Sequence, residues 1–323
     1  MGKKYFCTSD IHGYFDIFHD ALIKAGFDEE NPDHILIICG DIFDRGNQPL
    51  EIYNYLRGLP KERRVLVRGN HELLLQEMVE RGQPLSHDIH NGTYYTLYNF
   101  IGTTYQEEKH KEIEKWTMLP RYDTMEYQQM TAKLKADSDK LHHHLFHNRQ
   151  LKSVLSWIKS KEWVNYFELG PYIFVHAALP VATKAVREPN LFDDDQEYPP
   201  EWSELDIPTD WRTANRIYWN QAVWECPYQF YLNFRDSEEL KDRILVAGHW
   251  HTSDFWNRLE NKKYSLYEFN PIFISEKYPG IIGLDACTTA TKGCNILVIN
   301  EDMTLEPHNH RDYIIETVTE DKI

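Results

Sequence analysis

An α/β fold with a largely parallel sheet is what this sequence predicts, on three observations. Strand-like and helix-like segments alternate through roughly the first 70 residues, the pattern that gives βαβ units. Each strand-like run there ends in polar residues, as expected where an open sheet presents its carboxyl edge to a ligand. Strand texture returns towards the C-terminus, so the two ends of the chain are expected to build one domain over residues 1–323.

Lys4 to Thr8 reads as the first strand, and Phe15, Phe18, Ala21 and Leu22 then fall on one helical face, with Gly26 as the stop. His34 to Cys39 is a short apolar run suited to a buried strand. A helix fits Pro49 to Leu56, closed by Gly58 and Pro60; Val65 to Val67 reads as strand and Leu73 to Arg81 as helix. Over residues 83–164 Trp, Tyr, His and long charged side chains replace the β-branched runs. Helical periodicity around Gln106 to Trp116 and Tyr127 to Lys159 marks this stretch as a helical insertion. Tyr172 to Val175, Ile244 to Ala247, Ile281 to Leu284 and Asn295 to Ile299 read as strands. Residues 188–210 carry nine carboxylates and no Lys or Arg, which predicts an acidic loop.

With 41% hydrophobic and 27% charged residues the composition is that of a folded protein rather than a disordered one. A formal charge of −16 argues against sequence-independent nucleic-acid binding, which needs a cationic face. No run approaches the roughly 18 to 20 apolar residues of a membrane-spanning helix, so a cytoplasmic protein without nucleic-acid or membrane partners is expected. The five cysteines, Cys7, Cys39, Cys226, Cys287 and Cys294, are odd in number without C-x-x-C spacing, and read as buried reduced thiols.

The chemistry-bearing residues stand directly after strands. Asp10 and His12 follow the first, Gly40-Asp41-Ile42-Phe43-Asp44-Arg45-Gly46 the second and Arg68-Gly69-Asn70-His71-Glu72 the third. His176 follows Val175, and Gly248-His249-Trp250-His251 follows Ala247. Any one of these is ordinary as a turn or cap; five, each after an apolar strand, are hard to explain by structure alone. Asp, His and Asn offer mixed oxygen and nitrogen donors without thiolates, which suits Mn, Fe, Zn or Ni and disfavours a closed structural zinc site. Asp10, His12 and Asp41 would hold one ion, and Asp41, Asn70, His176 and His249 the other. A carboxylate shared by ions about 3.5 to 4 Å apart permits a bridging hydroxide to attack a phosphoryl group in line.

These blocks, in this order, resemble the calcineurin-like metallophosphoesterases, and within them the phosphoprotein phosphatase branch of bacterial and phage Ser/Thr phosphatases. The resemblance implies two mixed β-sheets packed face to face and flanked by helices, a four-layer sandwich with a dinuclear site at one edge. It implies two divalent ions, manganese first, with iron, zinc, nickel or magnesium as alternatives. His71 resembles the family's general acid and Asp44 the carboxylate that keeps its ring protonated near neutral pH. Arg45 resembles the phosphate-binding arginine, whose planar fork matches two phosphoryl oxygens; Arg68 is expected to pair structurally.

Three places depart from the family pattern. Where phage-type members have Trp-Asn-Arg, the chain has Trp219-Asn220-Gln221, so Gln221 replaces a second phosphate arginine, with Arg212 or Arg216 near enough in sequence to compensate. Weaker phosphomonoester turnover, or a preference for another phosphate geometry, is therefore expected. His251, in a Gly-His-x-His arrangement typical of the wider superfamily, is an extra candidate ligand to the first ion. Asp285 to Thr289 match a family stretch only partially and stay unassigned. His142, His143, His144 and His147 read as a solvated helix face, and Trp202, Trp211, Trp219 and Trp224 as core or lid packing.

The expected activity is metal-dependent hydrolysis of phosphomonoesters, with a phosphorylated protein as first-choice substrate and a small phosphoester as the other. A symmetrical dinucleoside polyphosphate hydrolase is the alternative of the same class, in which the Asp44-Arg45 equivalent should be less complete. A catalytically weak phospho-ligand binding module is the alternative of a different class, favoured by Gln221 and opposed by the intact ligand set.

Overall fold

Alternation within single strands decides the layering. In β1 (Lys4–Thr8) Phe6 enters one apolar core and Cys7 another, because successive side chains of a strand point to opposite faces. Helix α1 (Phe15–Lys24) buries Phe18, Ala21 and Leu22. In β2 (His34–Cys39) Leu36 and Ile38 join the core of Phe6, while Ile37 and Cys39 join that of Cys7. A strand covered on both faces has no polar side to show, hence the unbroken run His34-Ile35-Leu36-Ile37-Ile38-Cys39. The computed structural model describes residues 2–82, 84–101, 148–183, 205–268 and 270–311, with Met125, Gln128, Gln129 and Ala132 between them.

The chain continues through α2 (Pro49–Gly58), β3 (Arg64–Val67), α3 (Asn70–Arg81), α4 (Ser86–His90), α5 (Thr93–Ile101) and α6 (Arg149–Ile158) to the short strands β4 (Trp163–Val164), β5 (Phe167–Leu169) and β6 (Tyr172–Phe174). After β7 (Ala182–Thr183) and β8 (Leu205–Asp206) come α7 (Arg216–Ala222), α8 (Pro227–Phe234), β9 (Ile244–Ala247) and α9 (Thr252–Leu259). Strand β10 (Ile281–Gly283), helix α10 (Thr288–Thr291) and the pair β11 (Gly293–Asn300) and β12 (Leu305–Arg311) complete the described fold.

Two mixed sheets result. The first runs β12-β11-β1-β2-β3-β4, parallel from β1 to β4 and antiparallel on the β11 side; the second runs β10-β9-β6-β5, with only β5 antiparallel. Cys7, Ile37, Val67, Leu297 and Ile299 of the first sheet meet Tyr172, Phe174, Val246 and Ile282 of the second. The outer face of the first sheet carries α1 to α6, and that of the second packs Trp211, Trp219, Phe230 and Phe255 from the segments around α7 to α9. The arrangement is helix, sheet, sheet, helix, and loops that follow parallel strands of both sheets touch one another.

Several expectations shift. Helix α3 starts at Asn70 rather than Leu73, because the Glu72 carboxylate accepts the Gly69 N–H and caps the first turn. Where described, residues 83–164 pack inside the first core through Tyr94, Leu97, Phe100, Leu151 and Trp157, and their last two residues are β4, a strand rather than helix. In the acidic segment Leu205–Asp206 pairs with β7 as strand instead of loop, while residues 184–204, Trp202 among them, lie outside the described residues, as do His142, His143, His144 and His147. Strand β12 was not anticipated: Pro307 and two histidines break the apolar pattern, which an edge strand tolerates because one side of it needs no partner. All five cysteines are buried and free. Among the described residues no helix is long and apolar enough to cross a membrane.

Candidate active site

The loops after β1, β2, β3, β6 and β9 converge, and their backbone is strained where the polar residues sit. Asp10, His12, Asp41, Arg45 and His249 have φ of 51°, 49°, 56°, 74° and 64°, a left-handed region costing about 1 to 2 kcal/mol for each L residue other than glycine. Cross-loop hydrogen bonds hold them there: His12 N–H donates to the Asp41 carbonyl (3.0 Å), Gly46 N–H to that of His12 (2.7 Å) and Gly248 N–H to that of His176 (2.9 Å). Buried Glu72 ties two further loops together, its Oε2 accepting from the N–H groups of Asp41 (3.0 Å) and Gly69 (2.9 Å) and its Oε1 from that of Ile42 (2.9 Å). Gly69 must lack a side chain, since a Cβ would stand 2.2 Å from Asp41 Oδ1 and 2.6 Å from the Asp41 nitrogen.

Two groups of ligand atoms share Asp41. Those of His12, Asp41 and His71 lie within 4.8 Å of one another, and so do those of Asp41, His176 and His249. Asn70 Oδ1 lies 2.7 Å from His176 Nε2, so it adjoins the second group. Asp10, expected with the first, accepts the His249 N–H at its Oδ2 (2.9 Å). His251 stands half-buried with Nε2 3.8 Å from Asp285 Oδ2 and Nδ1 3.9 Å from Asp254 Oδ2, outside both groups.

The donor set fits divalent cations. His176 Nδ1 donates to the Cys39 carbonyl (2.8 Å), which leaves Nε2 of the neutral ring as a lone pair facing Asn70 Oδ1 (2.7 Å) and Asp41 Oδ1 (3.4 Å). Protonating it is disfavoured, because burial and then His249 hold the ring well below the ordinary histidine range. With Asp41 ionised, three acceptors converge there without a proton to share. Burial, followed by Asp10 and Glu72, pushes the Asp41 carboxyl well above the usual carboxylate range, and burial with Asp285 does the same to Asp10, a repulsion that cations would relieve. His12 Nδ1 is buried without a hydrogen-bond partner. Burial, His71 and Arg45 lower His249 to about 3, while the Trp224 carbonyl accepts from it.

His71 and Asp44 form a buried pair, with Nδ1 donating to Asp44 Oδ2 at 2.7 Å. The expectation that Asp44 raises His71 to near-neutral protonation does not hold for the residues alone. Burial and the adjacent guanidinium of Arg45 outweigh the carboxylate and lower the ring below its ordinary value. Arg45 donates from Nη1 to His12 Nε2 (2.9 Å) and from Nη2 to His71 Nε2 (3.2 Å), spanning the mouth of the first group.

Of the two arginines near enough in sequence to compensate for Gln221, Arg212 is already paired. Arg212 forms a two-pronged pair with Glu168 (2.9 and 2.7 Å) and lies over Trp211. Arg216 is exposed at the start of α7, near enough to Arg68 to depress it, after burial. Arg68 donates to Asn165 and to the Ile158 carbonyl, both at 3.3 Å. Gln221 is exposed on α7, and Trp224 beyond it is 48% exposed with its ring 6.3 Å from that of His249, so it is neither core nor buried lid. Glu72 and Asp285 escaped the sequence reading. Glu72 closes an otherwise complete motif and could have been found there; Asp285 lies in a partial match, and only folding brings it beside Asp10.

Comparison with known proteins agrees with the motif blocks. Residues 3–153 match the family model for calcineurin-like phosphoesterase. The chain is 40% identical over 70 residues to a protein of Hamiltonella defensa named bis(5'-nucleosyl)-tetraphosphatase, symmetrical, covering 22% of this chain and 24% of that one. To a protein of the same name from Nitrosococcus oceani it is 36% identical over 80 residues, 25% and 28% of the two chains. The matches therefore span about a quarter of these curated relatives. Among solved structures, a protein serine/threonine phosphatase from Saccharomyces cerevisiae aligns over 96% of this chain and 80% of its own at 12% identity and a TM-score of 0.48. A metallophosphoesterase from Sphaerobacter thermophilus aligns over 96% and 88% at 14% identity and a TM-score of 0.43.

Proposed function

We propose, from the match of residues 3–153 to the calcineurin-like phosphoesterase family model, that this chain is a metal-dependent phosphoesterase cleaving phosphomonoesters, with protein phosphoserine or phosphothreonine as the first substrate class. One observation carries the reading: two ligand groups share Asp41, and the first of them includes His71, which is paired with buried Asp44. Two divalent cations, manganese first among them, would supply Lewis acidity and lower the pKa of water there. Asp10, His12 and Asp41, with His251 at the rim, would hold one, and Asp41, Asn70, His176 and His249 the other.

The chain's own residues do the rest. Arg45 points its guanidinium where a phosphoryl group would enter, and a phosphate dianion that captures both its Nη donors takes them from His12 and His71. His71 Nε2 then loses a neighbouring positive charge and gains a negative one, and both changes favour the imidazolium. Asp44 keeps Nδ1–H engaged, which aims Nε2 outward to give its proton to the leaving alkoxide. Gln221 offers no charge to a phosphate, so slow phosphomonoester turnover is expected.

Symmetrical dinucleoside polyphosphate hydrolysis is the second reading, favoured by the local identity to relatives carrying that name. A phosphothreonine peptide, an aryl phosphate and diadenosine tetraphosphate, each assayed with Mn, Ni, Mg and Zn on wild type, Asp41→Asn and His71→Asn, decide between them. Peptide dephosphorylation lost in both variants is expected. Cleavage of the dinucleotide alone would transfer the function to nucleotide turnover, and bound metal without hydrolysis would favour a phospho-ligand binding module.

A further inference from the structure

Asp44 is fully buried with both oxygens engaged by more than His71. Thr93 Oγ1 donates to Oδ2 at 2.6 Å and Thr96 Oγ1 to Oδ1 at 2.7 Å, and both threonines are themselves fully buried. They are three apart on α5, so their hydroxyls share one helix face. The helix is anchored independently: Tyr94, Leu97 and Phe100 lie in the first core, and the Phe100 ring meets that of Phe43 edge-on at 5.2 Å. Gly92, at φ 81°, brings the start of α5 onto the loop itself, where a Cβ would come within 2.8 Å of the Arg45 nitrogen.

We propose that Thr93 and Thr96 are positioning residues that act on His71 through Asp44. Resting on the reading of His71 as proton donor, the inference is that α5 sets where that proton is delivered. With only His71 as partner, the Asp44 carboxylate can turn about its terminal torsion, and the imidazole follows it. Two hydroxyl donors, one on each oxygen, fix the carboxylate plane and hence the ring. General acid transfer works only with the donor within about 2.6 to 3.2 Å of its target, so a loosened ring loses rate without losing substrate.

Leaving-group dependence separates this role from plain structural support. A phosphoserine ester expels a poor leaving alkoxide that needs the proton; 4-nitrophenyl phosphate expels a stable phenolate that does not. Thr93→Val, Thr96→Val and the double variant are expected to lower kcat on the phosphoserine peptide by about 10- to 100-fold with KM little changed, and to leave 4-nitrophenyl phosphate within about threefold. Thr→Ser at either position, which keeps the hydroxyl, restores the peptide rate. The downfield proton resonance of His71 Nδ1–H persists in wild type and the serine variants and broadens or disappears in the double valine variant. Equal losses on both substrates, no loss on either, or failure of serine to restore would overturn the proposal. His71→Asn in the same assay tests the premise: if its loss is not selective for the peptide, the reading of His71 fails, whereas a selective loss there with unselective valine variants sinks the threonine inference alone.

Discussion

Replacing Glu72 with glutamine would test whether one buried carboxylate aligns the loops that carry Asp41, the proposed shared ligand, and His71, the proposed proton donor. Its two oxygens accept three backbone N–H groups, those of Asp41, Gly69 and Ile42, at 3.0, 2.9 and 2.9 Å. Glutamine keeps the shape but turns one oxygen into an NH2. In its better orientation the remaining oxygen keeps Asp41 and Gly69, while Ile42 N–H faces another donor. A hydrogen bond to a charged group contributes roughly 1.5 to 3 kcal/mol, and a buried donor left unpaired costs about 1 to 3 kcal/mol. Burial raises the Glu72 pKa despite those bonds, so removing the charge returns part of the loss. A net destabilisation of about 2 kcal/mol is expected, read as a lower urea midpoint at unchanged m-value. Because the Ile42 N–H next to Asp41 then loses its acceptor and loosens the loop that carries Asp41, manganese affinity measured by titration calorimetry should fall by about 10-fold or more, as for other residues that orient metal ligands. A variant as stable as wild type that binds manganese equally well would refute the reasoning.

Gly69→Ala places a methyl 2.2 Å from Asp41 Oδ1, with the neighbouring backbone unable to yield; a loss of about 1 to 3 kcal/mol and abolished high-affinity manganese binding are expected, and a normal calorimetric isotherm would contradict this. For Glu162, burial raises the pKa but hydrogen bonds from Arg64, Trp157 and Lys61 outweigh it and hold the carboxyl at about 2, against an ordinary 4.5. The folded state therefore binds this proton less readily than the unfolded one, so the stabilisation is complete above about pH 5 and disappears as the pH falls to about 2. Glu162→Gln should flatten the urea midpoint over that window by on the order of 1 kcal/mol, and an unchanged slope would count against the pairing. Trp224→Ala should raise KM for aryl phosphates about 3- to 10-fold with little change in Tm, the scale of one aromatic contact; a large Tm loss with KM unmoved would mean that the ring only packs.

Much of the fold was legible because local rules and tertiary environment agree. The first three strands and first two helices lie where the apolar periodicity places them, since each strand is buried on both faces and each helix on one. The misses share a cause. Strands β4, β5 and β12 are short or polar and exist through their neighbours, so nothing in Trp163–Val164 or Leu305–Arg311 announces a strand in isolation. Helix α3 begins earlier than its apolar residues suggest because a carboxylate three positions in caps it.

By itself the sequence picked out the side chains proposed to carry the chemistry, because candidate metal ligands after strands are set by residue type and by the carboxyl edge of a sheet, both local properties. Only the tertiary structure decided how those side chains face one another. It turned Asp10 towards the His249 backbone, left Arg212 bound to Glu168, set Arg45 against the His71 ring and brought Thr93 and Thr96 onto Asp44 from 49 and 52 residues away. The physical reason is that hydrogen bonds and charges act over a few ångströms in space. Their strength is set by burial, and neither proximity nor burial can be read from residues distant along the chain until the layers pack.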